Sequence, residues 1–215
     1  MAVPQNTLIG KTKQSVGNAT FTTWKGINVL KSKPVSVANP RTQGQVNQRT
    51  MMANFVKLYR ENAAIFNAGF RQLAVKQSAY NAASSANLKN ASINNQDSPV
   101  LADPSILEVA KGSLYPAPIT GVVTDRSSNA IVINWSPGIQ ADQLNGDIAY
   151  ATAYSNDGTV VGSSIGEGVR SDGELTFDLA AGVNAGIQIN VYLFFVQTGS
   201  GKVWDSDHVF STIIA

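Results

Sequence analysis

Cysteine is absent from this 215-residue chain, and histidine occurs once, at His208. The first absence excludes disulfides and thiolate metal sites. The second removes nearly every His-based catalytic or metal constellation. Charge is scarce too. Only 14% of residues are Asp, Glu, Lys or Arg, against about 25% in ordinary soluble domains. Asn, Gln, Ser, Thr, Ala and Gly fill the difference, and surfaces of that kind repel one another weakly. Such a composition suits a protein that packs against its own copies. No apolar run approaches the roughly 20 residues of a membrane-spanning helix. The longest, Val191 to Val196, has the length of a strand. The N-terminus lacks the charged-then-apolar pattern of a secretory signal. The expectation is a soluble protein made in a cytoplasm, with no membrane partner.

Acid is missing altogether from the first 60 residues, which hold nine lysines and arginines; Glu61 is the first carboxylate. Residues 1–111 carry thirteen basic and four acidic side chains, a net +9. Residues 112–215 carry three and ten, a net −7, and the overall charge of +2 conceals the split. Halves of opposite sign have different neighbours. The basic half can face nucleic acid, an acidic partner, or the acidic half of another copy.

What is present supports a core, since 43% of the residues are hydrophobic. Ala19–Trp24 and Ile27–Leu30 have strand composition and are separated by Gly26, which predicts a hairpin. Lys33-Pro34 and Asn39-Pro40 then bar any helix. Residues 1–41 are too thinly apolar to fold alone and read as an extended basic arm. Thr42 and Gln45 have the spacing of a capping box. Met52, Phe55, Val56 and Tyr59 follow at helical period toward Ala63 and Phe66. Gly69 would kink or end this helix. A second helical stretch is expected from Phe70 through Tyr80 to Leu88, with small residues permitting close approach. Ile106 to Val109 is read as a connecting strand, although Asp103-Pro104 could instead start a short helix.

Seven strands are expected after Pro116: Ile119–Thr124, Ala130–Trp135, Ile148–Tyr154, Thr159–Val161, Leu175–Leu179, Ile187–Gln197 and Val209–Ile214. Asp157-Gly158 has the composition of a type I′ hairpin turn. The fold class is therefore α+β. An extended basic arm with a β-hairpin (1–41) leads to a helical segment (42–98), a connecting strand (99–115) and an antiparallel β-sandwich (116–215).

Ile131-Val132-Ile133-Asn134-Trp135, Ala149-Tyr150, Leu175 to Leu179 and Val191 to Val196 resemble the strand order of a fibronectin type III or related immunoglobulin-like module. Lack of the antibody cysteine pair favours the fibronectin variant. The N-terminal stretch Gly17 to Pro34, with Asn39 to Gln43 and Gln48-Arg49, is similar to an uncharacterised family found in bacteria and their phages. That resemblance implies an arm-and-helices layout before a β-rich region, and a phage or prophage origin. It implies no activity.

The residues expected to make assembly or nucleic-acid contacts are Lys11, Lys13, Trp24, Lys25, Lys31, Lys33, Arg41 and Arg49. Cations on one surface neutralise phosphates and release counterions, and Trp24 or Phe21 could stack on bases. An arm docked on a neighbouring subunit uses the same lysines, with Trp24 buried in the contact. The docked arm is preferred, because base-stacking sites show more aromatics. Gly10-Lys11-Thr12 lacks the earlier glycine of a P-loop, since Gln5 stands there. Asp205, Asp207 and His208 read as a solvated turn, too poor in oxygen ligands for calcium. Glu174, Thr176 and Asp178 alternate onto one solvent face. No catalytic, cofactor or metal residue is expected.

The function expected from the sequence is a non-enzymatic virion structural protein of a phage: capsid, decoration or tail-associated. It would assemble with its own copies and other virion proteins, with packaged nucleic acid as a further contact. The alternatives are a nucleic-acid-binding protein using the basic half, and a carbohydrate- or surface-binding module.

Overall fold

The computed structural model describes residues 14–36, 40–90, 92–95, 101–113, 118–137 and 145–213. It is mixed helix and antiparallel sheet, in two compact units, Met1–Thr42 and Gln43–Ala215.

The first unit contains a three-stranded meander, β1 (Gln14–Val16), β2 (Ala19–Trp24) and β3 (Ile27–Ser32). The expected hairpin is present, with one further strand on its edge. Lys25 and Gly26 join β2 to β3 at φ +47° and +78°. Positive φ at both central residues is the type I′ geometry, whose twist matches that of the paired strands. Register places Trp24 opposite Ile27, Thr22 opposite Val29 and Thr20 opposite Lys31. Strand alternation puts these six on one face, with Phe21 and Leu30 on the other. Among the described residues of this unit no side chain is buried.

The second unit begins with α1 (Gln43–Glu61), α2 (Ala63–Gly69) and α3 (Ala79–Lys89). The break falls at Asn62, earlier than Gly69, and has a polar cause. Asn62 is buried, and its Nδ2 donates to Thr152 Oγ1 and, at 3.2 Å, to Tyr154 Oη. Contrary to expectation, Phe70 to Gln77 form no helix: Phe70 to Leu73 are turn and Val75 to Gln77 bend, with Lys76 at φ +57°. Phe70 is in the core because it continues the aromatic cluster of Phe55 and Phe66, without needing a helix of its own. Ser78 caps α3, accepting from the Asn81 amide at 3.1 Å. Ala79, Ala82 and Ala83 then bring α3 close against its neighbours.

Seven strands follow: β4 (Ile119–Asp125), β5 (Ala130–Trp135), β6 (Ile148–Ser155), β7 (Val160–Val169), β8 (Glu174–Asp178), β9 (Gln188–Val196) and β10 (Asp207–Thr212). They form two antiparallel sheets, ordered β4-β5-β8 and β10-β9-β6-β7. Two cores result. One gathers Ile131, Ile133, Trp135, Leu175 and Phe177 from the first sheet with Ala149, Ala151, Val191, Leu193 and Phe195 from the second. The other sets Tyr154, Tyr192, Phe194 and Val196 against Phe55, Leu58, Ile65, Phe66 and Phe70 of the helical region. β9 is thus apolar on both faces, which accounts for the uninterrupted run Val191 to Val196.

The β6–β7 hairpin differs in turn type from the one its composition suggests. Gly158 takes φ +82° while Asp157 does not take positive φ. Gly158 N–H donates to Ser155 O at 2.9 Å. That is the three-residue pattern of a type I turn closed by a left-handed glycine.

The connecting strand expected at Ile106 to Val109 is not formed. Pro104–Ile106 is a 3-10 turn capped by Asp103, whose Oδ1 accepts the Ser105 amide at 3.0 Å. Side chains, not a ladder, satisfy the backbone beyond it, one of them the buried Asn87. Asn87 accepts the Glu108 amide at 2.9 Å and donates to the Glu108 carbonyl at 2.9 Å. Ser206 Oγ accepts the amide of Val109 at 3.2 Å.

Candidate functional site

Lys11 and Lys13 lie outside the described residues. Trp24, Lys25, Lys31 and Lys33 belong to the meander unit. The Lys25 ammonium stands 5.3 Å from the Trp24 ring centroid, and the ring is 45% exposed. Such a pair contributes about 0.5–1 kcal/mol at an open surface. Lys31 shares the Trp24 face of the sheet, through the register Thr20↔Lys31 and Trp24↔Ile27. Lys33 lies just beyond β3, with its amide donating to Asn18 O at 2.6 Å. Arg41 is exposed in the same unit. Arg49 belongs to the other unit. It stands on α1 beside Gln45, Gln48 and Met52, around a shallow cleft of about 320 Å³.

The meander therefore presents apolar and cationic side chains together. Ile27, Val29 and the Trp24 ring lie on the face that carries Lys31. Phe21 and Leu30 lie on the reverse face. Trp24 is exposed, and the other four are half-buried. Completing their burial would contribute a part of the roughly 1.5–3 kcal/mol that a wholly exposed side chain of this kind gains, the largest part at Trp24. A small sheet needs a covered apolar face for stability.

The acidic half is organised differently. Glu174, Thr176 and Asp178 are exposed along β8, on one face as alternation requires. Asp205 and Asp207 do not form a solvated turn. Asp205 Oδ1 accepts the Gly112 amide at 2.8 Å, and Asp207 Oδ2 accepts the Ile119 amide at 2.7 Å. They fasten the connector that enters β4. The sole histidine lies against Tyr192 and Phe210, and its Nε2 bonds Asn190 Oδ1 at 3.2 Å. Burial pulls the His208 pKa below its ordinary value, against the opposing pull of Asp207 and Asp103. The imidazole is thereby favoured in its neutral form, as a wall between aromatic rings and a buried amide.

Sequence reasoning did not single out Arg170, which is 1% exposed. Its Nε meets Asp147 Oδ2 at 3.2 Å, and its backbone N–H donates to Asp147 O at 2.8 Å. The guanidinium carbon lies 4.0 Å from the Phe195 ring centroid and 4.5 Å from that of Trp204. Burial lowers the guanidinium pKa, and the hydrogen bond to Asp147 opposes that. One sequence signal was available: Arg170 is one of only three cations after Gly112. The group braces the two-sheet core, to which both rings belong.

Among the described residues no three His, Cys, Asp or Glu side chains come together as a metal site. No helix among them is long and apolar enough to cross a membrane. No curated protein matches this chain. A solved fibronectin type III domain of human contactin 1 is similar at 12% identity, over 49% of this chain and 86% of that one, with a TM-score of 0.29. A likeness that slight carries no weight for fold or function. The N-terminal resemblance to an uncharacterised family reduces to the family alone, with no bacterial or phage source shown. Residues 10–209 match the model of a family of unknown function, DUF6266, and the chain belongs to that family.

Proposed function

We propose that this chain is a non-enzymatic structural protein that builds a homo-oligomeric assembly, a virion in the fullest form of the reading, through its basic N-terminal meander. One observation carries the proposal. The meander has apolar side chains on both faces and none buried among its described residues. A sheet without a core is completed by another surface. The charge division, +9 against −7, lets a copy of the same chain be that surface.

We infer that β4 to β10 form a fibronectin-like sandwich acting as an interaction module. The sheet order β4-β5-β8 and β10-β9-β6-β7 and the one core filled from both sheets support this. Helices on the outer face of β9 and β6 make it a sandwich with one face closed.

Sedimentation velocity tests the assembly. The full chain should associate with rising concentration at about 0.1 M salt and dissociate toward about 1 M, where screening shortens to roughly 3 Å. Removing residues 1–41 should abolish association while leaving a folded monomer, because both core clusters lie within Gln43–Ala215. A monomer at every concentration would refute the proposal.

A second reading is favoured by one feature. Trp24 offers an exposed ring with Lys25 over it and Lys31 on the same face, the combination that binds single-stranded nucleic acid. That reading requires affinity that falls steeply with salt and is lost in Trp24→Ala.

A further inference from the structure

Of the broad sheet faces in the second unit, the outer face of β4-β5-β8 is the open one among the described residues. The sheet β10-β9-β6-β7 has one face in the two-sheet core and the other under the helical region. The open face has a definite pattern. Register sets Gly121, Asn134 and Glu174 in one row, Val123, Val132 and Thr176 in the next, and Asp125, Ala130 and Asp178 in the third. An apolar row, with Val123 51% exposed, is flanked by rows that end in carboxylates. No cation stands in these rows; Arg126 lies past Asp125 in the β4–β5 turn, donating to Asn129 Oδ1 at 2.8 Å.

The Lys31 face of the meander is the counterpart. It is also three strands wide, with Trp24, Ile27 and Val29 forming an apolar patch and Lys31 beyond it. Resting on the assembly reading above, we propose that the meander of one copy packs face to face on the β4-β5-β8 face of a second copy. The apolar row of the acceptor would cover Ile27 and Val29, and Lys31 and Lys33 would approach Glu174 and Asp178. Two sheets packed at about 10 Å place such side chains in contact. Opposite charge would set the orientation and exclude a meander-on-meander pairing, where cations would oppose cations. The contact is heterologous: donor and acceptor surfaces differ. Each copy can therefore give one and receive one, which builds a ring or an open array.

Reciprocal charge reversal in the full-length chain tests this. Lys31→Glu/Lys33→Glu and Glu174→Lys/Asp178→Lys should each weaken self-association at least about 10-fold at about 0.1 M salt. An equimolar mixture of the two should recover association, because reversed donors then meet reversed acceptors. Glu61→Lys/Glu167→Lys changes net charge as much as the acceptor variant and should leave association unchanged. The proposed face is refuted if either reversed variant associates like the parent chain, or if the mixture stays as weak as its components. A parent chain that never associates removes the assembly reading itself, and the proposal with it.

Discussion

Arg170→Met should cost about 3–5 kcal/mol of folding stability, the usual consequence of stripping one partner from a buried ion pair. The substitution removes the charge facing Asp147, which is itself fully buried. It also removes a cation held between the Phe195 and Trp204 rings, a desolvated arrangement worth about 2 kcal/mol. Both terminal nitrogens of Arg170 lack an oxygen partner among the described residues, so the ring faces are their main compensation. Replacing both members, Arg170→Met with Asp147→Ala, should cost less than the sum of the two single changes by at least about 1 kcal/mol. Urea unfolding of the three variants measures this. Full additivity would mean that the pair does not act as a unit.

Gly112→Ala should be nearly as damaging, at about 3 kcal/mol or more. A Cβ on Gly112 would stand 1.8 Å from Val203 O and 3.1 Å from Gln72 Oε1. Neither can yield cheaply. Gln72 Oε1 accepts the Val203 amide at 3.0 Å, and Asp205 Oδ1 accepts the Gly112 amide at 2.8 Å. The connector would have to lift away from Val203 to Ser206, breaking these part-buried hydrogen bonds. Gly44→Ala is the matched control, since nothing lies within 4 Å of its would-be Cβ and it sits in α1. It should be neutral or slightly stabilising. A Gly112→Ala midpoint equal to the parent's would show that the connector has room that the packing denies.

Strands of the C-terminal half were legible because alternation and turn residues agree. β5 alternates half-buried and buried positions, and β8 alternates exposed and buried ones, as a sheet with one open face requires. β7 was legible only at its start. Its remainder, Gly162 to Val169, holds three glycines, poor strand formers by propensity. Pairing with β6 overrides propensity there. The failed strand at Ile106 to Val109 has the opposite cause. Leu107 and Val109 are buried, so the apolar signal was real. Asn87 and Ser206 hold their backbone in place of a neighbouring strand, and no local pattern announces partners so distant in sequence.

The candidate surface was legible in its charges and not in its form. Lysines at 25, 31 and 33 with no acid nearby were visible at once. That three of the flagged groups, Trp24, Lys25 and Lys31, gather at one sheet follows from the type I′ turn and the register it imposes. Arg49 belongs to α1, in the other compact unit. Arg170 escaped notice because a buried cation makes sense only with its rings and its carboxylate assembled around it.

Amide hydrogen exchange across Ala19–Ser32, read above and below the concentration of assembly, tests the central claim most directly. A meander without its own core should exchange rapidly in the dilute monomer. On assembly its β2 and β3 amides should slow by roughly 100-fold or more, the factor that about 2.7 kcal/mol of local stability supplies. Equal, strong protection in the isolated monomer would contradict the account, because the sheet would then be stable without a second copy to cover it.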